Sequence, residues 1–561
     1  MSDSRNPMYD SPDSTDDDPS ESTECTVERP AIPAQALASA LGATLGPNGL
    51  DKMLIDREGT VVVTNTGATV LESLDVDDPV ARIVRDAVLA HAHRTGDGTT
   101  TTALVLGELL SEAERLADQG LHPNVIIDGY AVALAAARDA LRELATPVET
   151  SERETLRRIA STAITGKWDA TATARFATLT VDALRSVDFD TSRLTMHAYP
   201  GATLADSEQI GGILVDTELS STEIEARQTD GYRTRTDPTL AFVDGEIGLP
   251  ETDGSKTVTV QDAGELQSVQ EYEQQLRDDL RRAVVDLDVD VLVCRRSIDD
   301  GIRTGLEKAG VLPVERTRRD EFAAIARAAG ATSVLSATEL THEALGTAEA
   351  VRHRPVGDRN AVVFSGLPFE DHVSLVLRGG TQHVADETER IVEDCIAAVQ
   401  HAAHDGGVVP GGGAGMASIA RTVADRADRE GRQTALAVDA FADAVTVVPR
   451  TLARNAGLDP IDAMAALRNR HHEGDSAVGV DRSGTLCDMR EAGVVEPVTV
   501  PMRCLETAFE TASLLLGIDE RLAATSGTDP DAVSHGGHDH ANHAHGSDNS
   551  GTSGYPWALS H

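Results

Sequence analysis

The sequence predicts a multidomain protein in which the chain leaves a helical domain, crosses into an outer α/β domain and then returns. Its 561 residues are enough for two to four domains. Helical patterns fill about 30–150 and return over about 405–525. Between them, strands and helices alternate over 219–369, and mixed segments at 151–218 and 370–404 flank this stretch.

Charge and composition exclude several partners and locations. The formal net charge is −43, from 92 acidic and 49 basic residues. Without a basic patch, such a chain is not expected to bind nucleic acid or an anionic membrane. No apolar run reaches membrane-spanning length and the N-terminus does not resemble a signal peptide, so we expect a cytoplasmic protein. The five cysteines are scattered without a CxxC motif, which argues against a disulfide framework or a zinc site.

The acidic excess also indicates the salt in which the protein works. Only four of the basic residues are lysines. Excess Asp and Glu with few lysines suits a protein dissolved in concentrated salt, where charge repulsion is screened within about 3 Å at 1 M. We therefore expect a halophilic source; the alternative is an ordinary acidic protein with acidic tails.

Both ends of the chain are poor in apolar residues. Residues 1–29 are rich in Ser, Asp, Pro and Glu, and residues 526–561 in Gly, Ser, Asp and His. Neither segment can bury a core, so we expect a disordered acidic tail and a disordered His- and Gly-rich tail.

Apolar periodicity predicts the elements of the first helical region. Leu37, Leu41 and Leu45 recur along one helix face, which ends at the turn Gly46–Gly49. Val61–Val63 is predicted to be a short buried strand. Further helices are predicted over 79–91, 102–118 and 123–144.

The outer region alternates strands with helices. Strands are predicted at 240–243, 258–260, 289–294, 311–314 and 333–335, and helices at 266–285, 299–309 and 321–329. A long helix is expected from about Asp386 to about His404.

Gly96-Asp97-Gly98, followed by threonines at 99–102, has the composition of a phosphate-binding loop. Glycines let the backbone approach an anion, and Asp97 can hold a magnesium ion. The threonines open an apolar helix, so their N–H groups would lie at its positive end. On the local pattern alone, a capped helix after a tight turn is an equally good interpretation.

Several motifs, taken in order, resemble those of the group II chaperonins, the archaeal thermosome and its eukaryotic cytosolic relatives. Residues 45–54, LGPNGLDKML, are similar to the family's LGPxGxDKML, and Gly96–Thr101 to its GDGTTT. Further matches lie at 165–167, 378–381, 392–394, 409–414, 455–460 and 493–497. The resemblance covers about 32–524, and together with the acidic composition it suggests a halophilic archaeon as the source.

The resemblance implies the multidomain chaperonin fold. A mostly α-helical equatorial domain would comprise 30–150 and 405–525, and a small α/β intermediate domain 151–218 and 370–404. An α/β apical domain would occupy 219–369, with a helical protrusion at the polar helix from Leu266. Family members are ATP-dependent chaperones that stack as two rings of eight or nine subunits, bind unfolded proteins and close a lid. The implied cofactors are ATP and Mg²⁺, with K⁺ as a third candidate.

The resemblance also implies roles for the matching site residues. Asp97 would bind Mg²⁺, and Asp394 would position or deprotonate the attacking water. Lys167 would sense the γ-phosphate from the intermediate domain, whose closure would complete the site. The other implied nucleotide contacts are Leu45, Gly46, Pro47, Gly98, Thr99, Thr100, Thr101, Gly412, Gly479 and Glu496.

One catalytic position departs from the family. Its Asn-Asp-Gly reads Asn65-Thr66-Gly67 here, so a hydroxyl replaces a carboxylate near the attacking water. Losing an acid–base group typically costs about 10²–10⁴ in rate. The first hypothesis is an ATP-hydrolysing folding subunit, slowed at Thr66 or sustained by Asp394. The second is a structural or regulatory ring subunit, or a passive holdase, that barely hydrolyses ATP. A free-standing kinase or synthetase fits poorly, because no acceptor-substrate motif is present.

Overall fold

A computed structural model of the chain describes residues 30–55, 59, 61–217, 234–248, 263–357 and 359–519, leaving out the side chains of 217, 263–270 and 273. Both predicted tails and the predicted strand at 258–260 lie outside the described residues.

The α-helices of these residues include the predicted ones in order, and two others, Gly67–Ser73 and Ala170–Ser186, are additional. They are α1 (Ala31–Gly42), α2 (Gly67–Ser73), α3 (Pro79–Thr95), α4 (Thr99–Asp118), α5 (Pro123–Leu144), α6 (Arg153–Ala163), α7 (Ala170–Ser186), α8 (Ala263–Val285), α9 (Asp300–Lys308), α10 (Arg319–Ala328), α11 (Gln382–His404), α12 (Ala414–Ala427), α13 (Arg432–Val445), α14 (Val447–Asn455), α15 (Pro460–His472) and α16 (Thr499–Leu516).

The strands are shorter and form small sheets. They are β1 (Lys52–Ile55), β2 (Val61–Thr64), β3 (Leu194–Pro200), β4 (Glu208–Gly211), β5 (Ile213–Thr217), β6 (Thr234–Thr236), β7 (Thr239–Val243), β8 (Val291–Cys294), β9 (Leu312–Val314), β10 (Gly346–Thr347), β11 (Ala350–Val356), β12 (Arg359–Ser365), β13 (Val373–Gly379), β14 (Val408–Pro410), β15 (Val478–Val480), β16 (Leu486–Asp488) and β17 (Val495–Pro497).

Helix α4 lies at the centre of the helical region, which comprises residues 30–146 and 408–518. It is buried along most of its length because apolar residues occupy several faces, and it packs against α1, α13 and α16. One hydrophobic core joins the two parts of this region, with Leu106 and Phe441 both fully buried. Helix α1 ends at Gly42, so Leu45 lies in the following turn and not on the helix face that the periodicity predicted.

The predicted strand at Val61–Val63 exists, but its burial was predicted wrongly. Among the described residues it pairs only with β1, as an antiparallel hairpin. Val61 and Val63 are 48% and 54% exposed, and Met53 and Ile55 on the partner strand are similarly open. A two-stranded ribbon covers neither of its own faces, so β-branched residues alone do not guarantee burial.

The central region, residues 151–211 and 373–404, is a small α/β layer. Strand β13 pairs in parallel with β3 and antiparallel with β4. Helix α11 lies on this sheet beside α6 and α7. Its buried residues Val392, Cys395 and Val399 share a core with Phe176 and Leu377.

In the outer region, residues 213–371, the part of the chain that the structure describes forms two four-stranded sheets. One has the order β10-β7-β8-β9, in which β7, β8 and β9 are parallel, and the other has the order β5-β12-β11-β6. The predicted strand at 333–335 is wrong, since only Val334 forms an isolated bridge, to Val243. The identity of the three regions as chaperonin domains stays a prediction.

The sequence argued against membrane-spanning helices and against a disulfide framework. No helix within the described ranges is long and apolar enough to cross a membrane. Cys294, Cys395, Cys487 and Cys504 are free thiols.

Candidate functional site

The loop between α3 and α4 is built on two left-handed glycines. Gly96 ends α3 at φ 68° and Gly98 precedes α4 at φ 82°, a conformation that side chains with a Cβ adopt only with strain. Between them, Asp97 Oδ1 accepts a hydrogen bond from the Gly98 N–H at 2.6 Å. The first turn of α4, Thr99–Thr101, lines the same pocket as Asp97. The N–H groups of a first helical turn have no partner within the helix and suit a phosphate.

Helix α11 brings Asp394 to this loop. A Cβ on Gly96 would lie 2.7 Å from Ala397 Cβ and 3.3 Å from Asp394 Cα, so the close approach requires a glycine. Burial, and next the charge of Asp97, raise the pKa of Asp394 to about 7. Two carboxylates from different regions of the fold thus share one side of the pocket.

Lys167 is a cationic residue of the pocket wall. Its Nζ donates to Asn65 Oδ1 and to Thr66 Oγ1, both at 2.8 Å. Asn65 Nδ2 in turn donates to the Gly166 carbonyl at 3.0 Å. Burial lowers the pKa of Lys167, while the charges of Glu387, Asp394 and Asp97 oppose that shift.

Another part of the pocket wall consists of closely packed backbone. Asn455 Nδ2 donates to the carbonyls of Gly42 and Leu45, at 3.0 and 2.9 Å, which fixes the loop of residues 45–47. The Gly412 carbonyl accepts the Val480 N–H at 2.9 Å. A Cβ on Gly479 would lie 2.7 Å from Gly412 O, so the two segments meet without room for a side chain.

Negative charge in the pocket is poorly compensated. Burial raises the pKa of Asp97 despite the Gly98 N–H and Lys167. Burial, followed by the charge of Asp97, raises the pKa of Glu496 to about 8. A buried carboxylate without enough positive charge favours its protonated form, and a bound cation would reverse that preference.

Comparison with known proteins settles the family. Residues 37–526 match the model of the TCP-1/cpn60 chaperonin family. The chain belongs to this family. It is 38% identical to the thermosome subunit alpha of Halobacterium salinarum over 495 residues, 87% of either chain. It is 38% identical to a thermosome subunit of Methanopyrus kandleri over 88% of this chain and 90% of the relative. It is also 37% identical to thermosome subunit 1 of Haloferax volcanii over 87% of each chain.

In this chaperonin, one pocket brings together nearly all the predicted site residues, although their roles stay predictions. Gly479 is the exception: it lies behind Gly412 and does not line the pocket. The predicted residues that do line it are Leu45, Gly46, Pro47, Thr66, Asp97, Gly98, Thr99, Thr100, Thr101, Lys167, Asp394, Gly412 and Glu496.

Sequence reasoning missed two residues that shape the site. Asn455 was recognised only as part of a matching motif, not as the residue that holds the Leu45 loop. Glu387 was not singled out, yet it accepts hydrogen bonds from Thr64 and Thr66. Its position seven residues before Asp394 puts both on one face of α11, a helical spacing that was available as a signal.

The residues present fit Mg²⁺ together with a nucleotide. Among the described residues, no three or more His, Cys, Asp or Glu side chains are grouped to hold a metal. Magnesium often takes one or two carboxylates and completes its shell with phosphate oxygens and water. Asp97 is such a carboxylate, and the uncompensated negative charge around it favours a cation.

Proposed function

We propose that this chaperonin binds Mg-ATP in the pocket described above and hydrolyses it to drive protein folding in a double ring. Unfolded proteins in the cytoplasm would be its clients, and other chaperonin subunits its partners. The helical, central and outer regions would act as the equatorial, intermediate and apical domains. The observation that carries the proposal is the meeting of Asp97, Lys167 and Asp394, from three separate segments, in one pocket.

Each residue has a distinct part in the proposed reaction. Asp97 would hold Mg²⁺, which neutralises charge on the phosphates when bound. The α4 N-terminus would cradle the phosphates, and Lys167 would move from Thr66 to the γ-phosphate. Asp394 would orient the attacking water and accept its proton. Because Asp394 lies on α11 of the central region, movement of that region against the helical one would gate hydrolysis.

A second candidate is a ring subunit that binds ATP and barely hydrolyses it. Thr66 favours this candidate, because a hydroxyl cannot replace a carboxylate as a base. Such a subunit would regulate a mixed ring or hold unfolded clients passively.

ATP turnover of the purified chain in molar KCl with Mg²⁺ separates the two candidates. The comparison includes Asp394→Ala, Thr66→Asp and the control Glu393→Gln, whose exposed side chain lies on α11 beside Asp394. We expect turnover that Asp394→Ala abolishes and Glu393→Gln leaves intact. Binding of ATP by a chain that turns over only after Thr66→Asp would instead establish the impaired subunit. Absence of ATP binding would refute both.

A further inference from the structure

The Thr66 hydroxyl is held between a cation and a carboxylate. It accepts a hydrogen bond from Lys167 Nζ at 2.8 Å and donates one to Glu387 Oε1 at 3.1 Å. Thr66 is only 7% exposed and lines the pocket. The side chain that replaced the family's carboxylate therefore contacts another carboxylate, which reaches it from α11.

Neighbouring contacts fix that carboxylate in place. The same Oε1 atom of Glu387 accepts a second hydrogen bond, from Thr64 Oγ1 at 3.0 Å. The Thr64 hydroxyl also accepts a hydrogen bond from the Thr66 N–H at 2.9 Å. This contact orients the Thr64 hydroxyl so that its proton points towards Glu387. Both threonines thus present their protons to one oxygen, and a hydroxyl that donates in one direction keeps its lone pairs for the other.

We propose that Glu387 is a positioning residue for ATP hydrolysis, which acts through the Thr66 hydroxyl on Lys167 and on the attacking water. This inference rests on the proposed function. With its proton committed to Glu387, Thr66 Oγ1 can only accept hydrogen bonds: from Lys167 while no phosphate is bound, and from one proton of the water once Lys167 has moved to the γ-phosphate. The Glu387 charge also attracts Lys167 while no phosphate is present. Glu387 thereby compensates in part for the carboxylate missing at position 66.

The proton balance of the step leaves Glu387 and Thr66 unchanged. The water oxygen forms a bond to the γ-phosphorus, and the bond from that phosphorus to the bridging oxygen breaks, releasing ADP. One water proton passes to Asp394 and the other stays on the phosphate product. Thr66 and Glu387 orient the water without taking its proton, so removing either changes the geometry of attack.

A purely structural role for Glu387 is the alternative, and α11 provides the contrast. One turn further along, Arg390 donates to Thr69 Oγ1 and lies 3.7 Å from Glu72 Oε2. That contact also joins α11 to the segment after β2, but it does not include Lys167 or Thr66. Glu72→Gln is therefore a matched control, a carboxylate-to-amide change at the same junction.

The test uses the full chain in molar KCl with Mg-ATP, and compares Glu387→Gln, Thr66→Val, the double variant and Glu72→Gln. We expect Glu387→Gln and Thr66→Val each to lower kcat about tenfold with KM and melting temperature unchanged. The double variant should be no slower than the slower single variant, because the two residues act as one unit. Glu72→Gln should keep kcat within about twofold.

Binding supplies a readout that does not depend on turnover. Glu387→Gln should weaken the affinity for ADP–aluminium fluoride, which resembles the transition state, and leave that for ADP unchanged. Unchanged kcat in Glu387→Gln, multiplicative losses in the double variant, or equal losses of ADP and ADP–aluminium fluoride affinity would each overturn the inference. Failure of the proposed function is distinct from these results, since the unmodified chain itself would then lack Mg-dependent turnover.

Discussion

Two segments of the pocket wall, the loop Gly96–Thr101 and the turn Asn65–Gly67, are shaped by different kinds of interaction. The loop relies on backbone: left-handed glycines, helix N–H groups and the close approach of α11. The turn relies on side chains, with Thr66 and Asn65 bonded to Lys167. Backbone geometry allows few substitutions, because a Cβ changes it directly. Side-chain chemistry can be supplied by a neighbour, as Glu387 does for Thr66.

The largest expected effect on ATP turnover comes from a substitution in α11, the helix that contacts both segments. Asp394→Asn removes the group proposed to accept the water proton, so turnover should fall by about 10²–10⁴ while ATP binding persists. Because the pKa of Asp394 is raised to about 7, turnover of the unmodified chain should rise as the pH increases through this value. Rapid-quench turnover between pH 5.5 and 8.5 measures both. A pH-independent rate in the unmodified chain would count against Asp394 as the base.

Adding a Cβ atom to a glycine of the loop Gly96–Thr101 tests how strongly the loop depends on its backbone conformation. In Gly98→Ala the new atom would lie 2.7 Å from Cys504 Sγ and 2.9 Å from Val500 Cγ1, at a φ that disfavours alanine. We expect a loss of about 3 kcal/mol in unfolding free energy and loss of ATP binding.

Gly120→Ala is the control for backbone strain alone. Gly120 has φ 94°, and a Cβ added there would meet no atom within 4 Å, so only about 1 kcal/mol should be lost. Urea unfolding and calorimetric ATP binding measure the two variants. Equal losses would show that strain, and not the close packing of the loop, limits substitution there.

Introducing a carboxylate at position 66 tests whether Glu387 takes the place of a carboxylate in this turn. In Thr66→Asp the new charge would lie beside Glu387, whose Oε1 is now 3.1 Å from Thr66 Oγ1. Two carboxylates this close disfavour ionisation of both. We expect the double variant Thr66→Asp with Glu387→Gln to turn over several-fold faster than Thr66→Asp near neutral pH. Identical rates would show that Lys167 neutralises the pair.

The smallest expected effect concerns the stability of the nucleotide-free chain. The pKa of Glu496 is raised to about 8 from its usual value of 4.5. A raised folded-state pKa gives a contribution that is complete below pH 4.5 and is lost as the pH rises through about 8. Glu496→Gln should therefore become progressively more stable than the unmodified chain as the pH rises from 5 to 9. Urea unfolding across this range measures the difference, and a constant difference would contradict the prediction.

The sequence by itself determined most of the order of elements and nearly all the pocket. Helices α3, α4 and α5 were predictable because their apolar residues recur at helical spacing and Pro or Gly marks their ends. The motifs around Asp97, Lys167 and Asp394 were recognisable because they resemble motifs of the chaperonin family and follow the same order along the chain.

Only the tertiary structure decided which side chains are buried and which distant residues contact each other. Val61 and Val63 have the composition of a buried strand, and their exposure depends on what packs against the β1–β2 hairpin. The contact between Glu387 and Thr66 spans 321 positions in the chain, so no local pattern contains it. Periodicity reports the neighbours of a residue along the chain. Whether a hydroxyl at position 66 lies beside a carboxylate depends on how α11 packs onto the helical region, which only the assembled fold determines.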